Sequence, residues 1–497
     1  MATIGIIGSG IAGIASSLRL RKMGYEVHVF EANGFPGGKM DSLQLGEYRF
    51  DMGPSLFTLP NLVDELFQLY GVDPGEYFQY IRKDEICNYF WEDGTRFTAY
   101  AEQEKFLDEA TSVFKVERST LSSYLNKSKK KYNLTAELFL EKSLHKASTF
   151  LNKKALRAII SAGSLDLMST LNKVNEKTFQ DPKLVQLFNR YATYNGSSPY
   201  KTPGIMSMIP HLEMDLGTYF PKGGMKSIPE SLYQLAVFQG VKFHFNEPVR
   251  KINHHNGVAT GITTDHGNFR ADIIISNSDV FSSYNTLLGK DKASMRVMKE
   301  ERSSSALIFY WGIKRSFPEL DLHNILFSDN YEEEFRYIFD KKDVCSDPTI
   351  YINISGKCEP GDAPEGKENW FVMINTPGNF GQDWDEIIPR VRKQIIEKIN
   401  RNLNIDLVNL IEEEAVLDPR IIESKTSSHR GSLYGTSSNS RFAAFLRHPN
   451  YSSKLKNLYF CGGSVHPGGG IPLCLFSAKI VSEFIKKQHG SHYTKTG

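Results

Sequence analysis

Three glycines with the spacing of a phosphate-binding turn stand near the N-terminus: Gly8, Gly10 and Gly13. In such a turn the first glycine permits the tight bend, the second lets the backbone approach a pyrophosphate, and the third permits close packing of a helix on a strand. The helix that begins at Ile11 and Ala12 offers free N–H groups and a partial positive charge to phosphate oxygens. The spacing therefore predicts a site for a dinucleotide pyrophosphate.

The elements that must position this turn follow from the hydrophobic pattern. Ile4–Ile7 is a short β-branched run typical of a strand buried on both faces of a parallel sheet. An amphipathic helix follows to about Lys22, Gly24 ends it, and Glu26–Phe30 forms a second strand. Glu31 comes next, where a carboxylate accepts hydrogen bonds from ribose hydroxyls. A glycine motif alone is weak evidence, but the order of strand, glycine turn, helix, second strand and acid favours a nucleotide site over a simple glycine-rich turn. The acid at Glu31 disfavours a ligand that carries a 2′-phosphate.

Two further glycine-rich segments indicate which dinucleotide is bound. The turn with Gly37, Gly38 and Lys39 adds two backbone donors and a cation near the pyrophosphate. The C-terminal segment Asn457–Lys479 looks like a loop and helix that close over the flavin end of the same cofactor. Since a nicotinamide enzyme needs only the N-terminal segment, the coexistence of both predicts FAD.

Length, charge and cysteine content bound the class of protein. The chain of 497 residues is long enough for several domains, or for a nucleotide-binding domain with a large insertion. Its net charge of +2 gives no electrostatic reason to expect a nucleic-acid partner. The 5 scattered cysteines form no CxxC pair, which predicts reduced thiols in a cytoplasmic compartment. The first strand begins close to Met1, and no apolar run approaches the roughly 18 residues of a membrane span, so we expect a soluble or peripheral protein.

The nucleotide-binding elements are predicted to be discontinuous in sequence. The segment Gln239–Asp279 is rich in strand-like runs, which predicts a β-meander inserted into a Rossmann-like domain. Its predicted strands are Val241–Phe245, Val249–Asn253, Ala259–Thr264 and Ala271–Asn277. Near the C-terminus, Asn457–Phe460 predicts a further strand, and a helix from about Leu473 to Lys487 closes the domain.

Two insertions separate these stretches. Gln103–Arg190 has a largely helical pattern, whereas Ser303–Ile411 alternates strand-like runs with acidic loops before a helix to about Asn400. The strand-like runs are Ala306–Gly312, Thr349–Ile354 and Trp370–Asn375. We predict an FAD-binding domain over 1–85, 221–295 and 415–490. A substrate-binding domain is predicted over 86–102, 196–220 and 296–414, and a helical insertion over 103–195.

A basic cluster marks the helical insertion. Its cations are Lys127, Lys129, Lys130, Lys131, Lys142, Lys146, Lys153, Lys154 and Arg157. The interleaved apolar residues are Leu134, Leu138, Phe139, Leu140, Leu144, Phe150 and Leu151. The pattern fits a solvated helical face above a domain core better than an interfacial surface for an anionic membrane. The membrane interpretation gains weight if the substrate is a lipid.

Four motifs in order resemble those of one enzyme family. They are Glu31–Met40 (EANGFPGGKM), Phe50–Phe57 (FDMGPSLF), Tyr219–Met225 (YFPKGGM) and Gly462–Pro472 (GGSVHPGGGIP). Over Met1 to about Lys487 the chain resembles the bacterial phytoene-desaturase-type carotenoid desaturases, and within them the hydroxycarotenoid 3,4-desaturases. The resemblance implies an α/β fold: a Rossmann-like FAD-binding domain of the glutathione-reductase and amine-oxidase type, an inserted substrate-binding sheet domain and a helical membrane-facing region.

The resemblance also implies which residues hold FAD. The ADP-binding positions would be Gly8, Gly10, Ile11, Ala12, Gly13, Glu31, Gly37, Gly38 and Lys39, with the backbone of Val249 at the adenine. The turn near the isoalloxazine ring would be Gly53, Pro54 and Ser55, and the flavin-closing motif Gly462, Gly463, Gly470 and Ile471. An acid common after the first glycine of that motif in other FAD families is absent here. Backbone N–H groups, with or without the Ser464 hydroxyl, would then contact the pyrophosphate or ribityl chain.

The implied activity introduces a C-3,4 double bond into a 1-hydroxylated acyclic carotenoid end group, such as that of hydroxy-γ-carotene. Hydride transfer to the flavin would need alignment and exclusion of water rather than a Ser-His-Asp triad or a metal, and no such cluster is visible in the sequence. We expect His254 and His255 on a hairpin surface. Glu213, Asp215 and His466 are candidate bases, and none is assigned.

Several functions share these motifs. A phytoene desaturase, a carotenoid isomerase and an end-group oxidase are alternatives within the family, and a soluble amine oxidase lies outside it. A prenyl-lipid-binding escort protein is the non-enzymatic alternative. The expected partners are a long polyene, the cytoplasmic face of a membrane, and oxygen or a quinone as final electron acceptor. We expect no nucleic acid and no metal.

Overall fold

A parallel sheet of five strands forms one half of the molecule. The computed structural model describes residues 1–146, 149, 163, 165–289, 299–440 and 445–490. From edge to edge the strands are Leu458–Phe460, Ile273–Ser276, Thr3–Ile7, Glu26–Phe30 and Lys242–His244. Every neighbouring pair is parallel, which confirms the first two predicted strands and the strand near the C-terminus.

The two faces of this sheet are covered differently. Alternate residues point to opposite faces of a strand, so Ile273 and Ile275 join the core on one face and Ile274 joins the core on the other. On the first face, the helix Ile11–Lys22 packs against Ile471–His489 and Ser227–Phe238. The predicted helix after the glycine turn is thus confirmed.

The predicted four-stranded meander is partly wrong. An antiparallel sheet of three strands covers the second face: Val249–His255, Val258–Thr264 and Gly267–Arg270. The outer two predicted strands instead belong to the parallel sheet, and Gly267–Arg270 was missed. A hydrophobic run identifies a strand but not its partner, and Gly267–Arg270 has little apolar character to reveal it.

A mixed sheet of seven strands forms the other half. In order they are Ile411–Leu417, Ser305–Ile313, Glu368–Thr376, Ile350–Asn353, His323–Leu326, Glu85–Phe90 and Arg96–Tyr100. The three strand-like runs predicted in this region are confirmed. One face packs on the helix Trp384–Leu403 through Trp370 and Val391. The other face carries Tyr310, Phe371 and Tyr351, which lie toward the hairpin Ser42–Leu45 and Tyr48–Asp51.

Helices predominate in the described residues between 103 and 190, as the pattern predicted. The α-helices of six or more residues in the described part of the chain are Ile11–Lys22, Asn61–Gln68, Gln103–Phe114, Arg118–Leu140, Leu171–Thr178, Pro182–Asn189, Ile209–Met214, Ser227–Phe238, Tyr331–Arg336, Trp384–Leu403, Pro419–Thr426 and Ile471–His489. None of these described helices is long and apolar enough to cross a bilayer.

The basic cluster of this region does not form one continuous surface. Lys127, Lys129 and Lys130 are exposed, but Lys131 is buried and donates to Asp166 Oδ2 at 2.6 Å. Most of the apolar members described face inward: Leu138 and Leu144 are buried, and Leu134, Phe139 and Leu140 pack against the cores. The basic and apolar residues at positions 150, 151, 153, 154 and 157 lie outside the described residues. Inward packing of the described apolar residues favours the solvated-face interpretation.

Candidate functional site

The predicted cofactor residues gather at one edge of the parallel sheet. Gly8, Glu31, Asn277 and Cys461 directly follow the ends of four adjacent strands. Because ligands of open parallel sheets bind outside the carboxyl ends of the strands, this edge is where a dinucleotide would lie.

The two N-terminal glycine turns are packed together. Gly8 has a φ of +93°, and its N–H donates to Phe30 O at 2.8 Å. A Cβ on Gly13 would lie 2.2 Å from Gly8 O, so only glycine lets the helix begin this close to the turn. The N–H of Gly37 donates to Ser9 O at 2.9 Å, and Gly38 lies against Gly10. The structure thus brings the two motifs side by side.

Glu31 is buried and already bonded within the chain. One carboxylate oxygen accepts from Ser9 N and Ser9 Oγ, both at 2.8 Å. The other accepts from Asn33 N and Asn33 Nδ2, both at 2.9 Å. The carboxylate stands where the sequence placed it, at the end of the second strand. Its contact with ribose stays a prediction: the ribose hydroxyls would donate to the same carboxylate oxygens that accept from Ser9 and Asn33.

Lys39 joins the glycine turn to a distant loop. Its Nζ donates to Ser432 O at 3.0 Å and Leu433 O at 2.9 Å, and burial lowers its pKa. Gly53 packs on the same residue, because a Cβ there would lie 2.0 Å from Lys39 O. The turn of Gly53, Pro54 and Ser55 therefore lies beside Lys39.

The predicted flavin-closing motif faces the same edge. The N–H of Gly462 donates to Ser477 Oγ at 3.1 Å, and Gly463 lies against Gly469. Gly470 precedes the helix that begins at Ile471, with no side-chain cap at its N-terminus. The Ser464 hydroxyl accepts from Val280 N at 2.9 Å. This bond makes backbone N–H groups the more available donors for a phosphate or ribityl oxygen.

Val249 begins the first strand of the antiparallel sheet. Its side chain packs on the core that contains Ile7 and Phe30. The backbone just before it is tied to the second parallel strand, since Glu247 N donates to Glu31 O at 2.9 Å. Val249 thus lies on the Glu31 side of the sheet edge, and its contact with the adenine stays a prediction.

Asn277 is a site residue that sequence reasoning missed. Its Nδ2 lies 3.4 Å from Gly8 O, and a Cβ on Gly10 would lie 2.8 Å from that nitrogen. A Cβ on Gly462 would lie 2.7 Å from Asn277 Oδ1. The amide therefore connects the first glycine turn to the flavin-closing motif. Its place at the end of a predicted strand was the available signal.

Arg302 is a second missed residue. None of its three guanidinium nitrogens has a hydrogen-bond partner among the described residues, although its side chain is 3% exposed. Asp279 lies 3.8 Å away, and at an effective dielectric of about 20 that attraction is worth roughly 4 kcal/mol. Burial of each charged group costs several kcal/mol. The attraction between Arg302 and Asp279 therefore does not offset the cost of burying both charges. Among the described residues, then, no carboxylate lies within hydrogen-bond distance of this guanidinium.

Other buried cations lie near Arg302. Arg447 donates to Tyr434 O at 2.8 Å and lies against Gly468, and burial with the nearby Arg302 charge lowers its pKa to about 10. Asp279 interacts electrostatically with Lys39 as well as Arg302. An excess of buried positive charge beside two glycine turns fits the diphosphate of FAD, whose oxygens are acceptors only.

The mixed sheet approaches this edge through the turn at residues 53–55. Ser55 Oγ lies 2.8 Å from Tyr351 Oη, which lies 2.7 Å from His323 Nδ1. Burial lowers the pKa of His323 to about 3, so this imidazole is neutral. Tyr351 packs against an apolar core together with the partly buried Met52, Met373 and Leu433. Apolar residues thus lie beside one short hydrogen-bonded series of polar side chains, Ser55, Tyr351 and His323.

The three candidate bases are already engaged. Glu213 is buried and accepts from Arg190, Tyr191 and Tyr194. Asp215 lies 2.5 Å from His211 Nδ1. His466 Nε2 lies 2.8 Å from Lys142 O, and burial lowers its pKa to about 4. These contacts support structural roles.

Other sequence expectations can be placed directly. His254 and His255 lie exposed on the antiparallel hairpin, as expected. The 5 cysteines are free, and burial raises the pKa of the Cys461 thiol to about 12 and that of Cys474 to about 11. Among the described residues, no group of three or more His, Cys, Asp or Glu side chains could hold a metal ion.

Comparisons with known proteins agree with this geometry. The family model of flavin-containing amine oxidoreductases matches residues 11–485. A 1-hydroxycarotenoid 3,4-desaturase from Flavobacterium sp. (strain P99-3) is 58% identical over 480 residues, covering 97% of this chain and 98% of that protein. A phytoene desaturase from Fusarium fujikuroi is 30% identical over 513 residues, covering 98% and 89%. Cyclohexylamine oxidase from Brevibacterium oxydans shares the fold, with a TM-score of 0.64 at 14% identity over 98% of this chain and 99% of that one.

The fold and the site define a flavin-dependent oxidoreductase with FAD as its cofactor. The chain belongs to the flavin-containing amine oxidoreductase family and, within it, to the carotenoid desaturases. The expected α/β architecture, with a Rossmann-like parallel sheet and a mixed second sheet, is confirmed.

Proposed function

We propose that this enzyme introduces a C-3,4 double bond into the end group of a 1-hydroxylated acyclic carotenoid, such as hydroxy-γ-carotene. The observation that carries the proposal is the 58% identity, over nearly the whole chain, to a protein of that activity. In the reaction one hydrogen leaves the substrate as hydride and one as a proton. Bound FAD supplies the two-electron acceptor, and the protein supplies alignment and exclusion of water.

We also propose the residues that hold FAD. The set comprises Gly8, Gly10, Ile11, Ala12, Gly13, Glu31, Gly37, Gly38, Lys39, Gly53, Pro54, Ser55, Val249, Gly462, Gly463, Gly470 and Ile471, with Asn277 and Arg302 added. Support comes from the gathering of most of this set at one sheet edge, and from the Arg302 guanidinium, which has no hydrogen-bond partner among the described residues. In this arrangement Arg302 binds a diphosphate oxygen, while Lys39 and Arg447 contribute positive charge.

The proposed domains follow the two sheets. The FAD-binding domain takes 1–85, 221–295 and 415–490, the substrate-binding domain 86–102, 196–220 and 296–414, and the helical insertion 103–195. Strands of the parallel sheet fall in the first set and most strands of the mixed sheet in the second. The strand Ile411–Leu417 runs across the proposed boundary at 414.

Single-turnover kinetics test the activity. FAD-loaded protein is mixed anaerobically with liposomes that contain hydroxy-γ-carotene or phytoene, while flavin absorbance and the polyene spectrum are followed together. We expect flavin bleaching and a red-shifted polyene with hydroxy-γ-carotene only. Bleaching with phytoene would favour the phytoene desaturase alternative, and the 30% identity to such an enzyme makes this the second candidate. A change of polyene isomer without net flavin reduction would favour an isomerase, and an oxygenated product an end-group oxidase.

Peripheral attachment to the cytoplasmic face of the membrane is proposed as the route of substrate entry. Exposed Lys127, Lys129 and Lys130 lie on one helix of the helical insertion. Each such charge contributes about 1 kcal/mol near an anionic surface, so K127Q/K129Q/K130Q should weaken binding to anionic vesicles by roughly 100-fold. K393Q, at a lysine that is 79% exposed, is the control. Equal cosedimentation of both variants would contradict this attachment site. Oxygen or a quinone is the proposed final electron acceptor.

A further inference from the structure

A short hydrogen-bonded chain of side chains connects the two halves of the molecule. Ser55 Oγ lies 2.8 Å from Tyr351 Oη, and Tyr351 Oη lies 2.7 Å from His323 Nδ1. His323 is 4% exposed. Ser55 belongs to the turn beside Lys39, whereas Tyr351 and His323 belong to neighbouring strands of the mixed sheet.

The direction of this chain is set at its His323 end. Asn353 Nδ2, which donates to Leu322 O at 3.0 Å, also lies 3.3 Å from His323 Nδ1. An amide nitrogen only donates, so this contact favours the tautomer in which His323 Nδ1 accepts and Nε2 carries the hydrogen, although Nε2 then has no hydrogen-bond partner among the described residues. Burial keeps the imidazole neutral, with its pKa lowered to about 3. The single lone pair of Nδ1 then accepts mainly from the nearer donor, the Tyr351 hydroxyl at 2.7 Å, rather than from Asn353 Nδ2 at 3.3 Å.

The consequence falls on Ser55. With its hydrogen given to His323, Tyr351 Oη accepts from Ser55 Oγ. Ser55 then has no hydrogen left for another partner, but its oxygen keeps free lone pairs. The Ser55 hydroxyl can therefore accept a hydrogen bond from a ligand but has no hydrogen to donate to one.

The position of Ser55 suits the proposed reaction. In a 1-hydroxylated end group, the carbon that bears oxygen is two bonds from the nearer carbon of the new C-3,4 double bond. A group that binds this oxygen must therefore lie directly beside the reacting carbons. Ser55 lies in the turn assigned to the isoalloxazine end of the site, and its partner Tyr351 belongs to an apolar cluster that also contains the partly buried Met52, Met373 and Leu433.

We propose that Ser55 Oγ accepts a hydrogen bond from the tertiary hydroxyl of the substrate, held in this role by Tyr351 and His323. The inference rests on the proposed function and adds the group that selects an alcohol end. An ether or hydrocarbon end has no hydrogen to give, and burial against it leaves the serine lone pairs unsatisfied. Such an unsatisfied buried group costs about 1–3 kcal/mol, or roughly 5- to 150-fold in kcat/KM.

Substrate competition in three proteins tests the proposal. The wild type, S55A and Y351F are assayed with the 1-hydroxy carotenoid, its 1-methyl ether and the unsubstituted hydrocarbon. We expect the wild type to prefer the alcohol at least 10-fold over the ether. S55A should lose this preference, mainly through a higher KM for the alcohol. Y351F frees the serine hydrogen to donate to the ether oxygen, so activity on the ether should rise relative to the alcohol.

Controls separate this inference from the proposed function and from damage to the fold. Y310F removes a nearby hydroxyl bonded to Met52 O and should keep the alcohol preference. Flavin content and thermal unfolding are measured for every variant. Because Ser55 also belongs to the proposed FAD-binding set, the preferences are compared at equal flavin occupancy. An unchanged preference in flavin-loaded S55A, or in flavin-loaded Y351F, would overturn the proposal. If the wild type oxidises none of the three carotenoids, the proposed function itself fails.

Discussion

Replacement of Arg302 by methionine should selectively weaken the binding of FAD. Methionine retains much of the buried volume of the side chain and removes the charge. In the structure the guanidinium has no hydrogen-bond partner among the described residues, and its carboxylate neighbour, Asp279, is 3.8 Å away. The substitution therefore removes no hydrogen bond to the described residues; it removes the attraction to Asp279 across 3.8 Å and deprives the diphosphate of its partner.

The magnitude follows from the bonds that the diphosphate would lose. A hydrogen bond to a charged group is worth about 1.5–3 kcal/mol. Since each 1.4 kcal/mol is a factor of ten, the Kd for FAD in R302M should rise by roughly 10- to 100-fold. R302K keeps the charge but loses the planar fork, so its Kd should lie between those of the wild type and R302M.

Flavin fluorescence quenching during titration of the apoprotein measures this Kd. ADP, which carries the diphosphate without the flavin, is the competing ligand, and its affinity should fall by a similar factor. R420M is the control, because Arg420 is 40% exposed and one of its partners, Asp385, is 83% exposed. An FAD affinity of R302M within two-fold of the wild type would refute the assignment of Arg302 to the diphosphate. A loss for FAD but not for ADP would place Arg302 at the flavin instead.

Three further predictions concern the scaffold of the site. Gly13→Ala puts a Cβ 2.2 Å from Gly8 O and should abolish copurification of FAD, measured by flavin absorbance, whereas the exposed Gly75→Ala should retain it. Glu213→Gln breaks the buried pair with an arginine and should lower the urea-derived free energy of unfolding by about 3–5 kcal/mol. Glu333→Gln, at an exposed ion pair, is the control and should change the free energy of unfolding by less than about 1 kcal/mol. If Glu213→Gln keeps its stability but loses turnover, Glu213 would instead be supported as a catalytic base. Because the pKa of His323 is lowered to about 3 in the folded protein, its contribution to stability is full above pH ~6.5 and is lost as pH falls toward about 3. Between pH 7 and pH 5 the free energy of unfolding should therefore fall by on the order of 2 kcal/mol less in His323→Asn than in the wild type. Thermal unfolding at several pH values measures this difference, and equal pH dependence in the two proteins would contradict the neutral imidazole.

Local sequence was sufficient for the first part of the cofactor site. The strand before Gly8, the helix after Ile11 and the acid at Glu31 follow one another without interruption, so short-range periodicity and turn chemistry predicted them. The predicted bounds are off by only a residue or two at most of these ends. The motif order also identified the family that the comparisons support.

Sequence was insufficient where partners are distant. The strand Ile273–Ser276 was predicted, yet its membership of the parallel sheet depends on pairing with Thr3–Ile7 and Leu458–Phe460. Lys131 fits a basic helical face by spacing, but a partner at Asp166 draws it into the interior. Periodicity reports which residues share a face and does not report what covers that face.

The amino-acid sequence by itself determined the flavin-binding class, the α/β architecture and the position of the glycine turns. Tertiary structure alone decided that Asn277 connects two glycine motifs, that Arg302 is buried without a bonded anion, and that Ser55 meets Tyr351. The physical reason is that a glycine turn is specified by the backbone demands of adjacent residues. Buried charge and hydrogen-bond direction depend instead on groups that only the folded chain brings together.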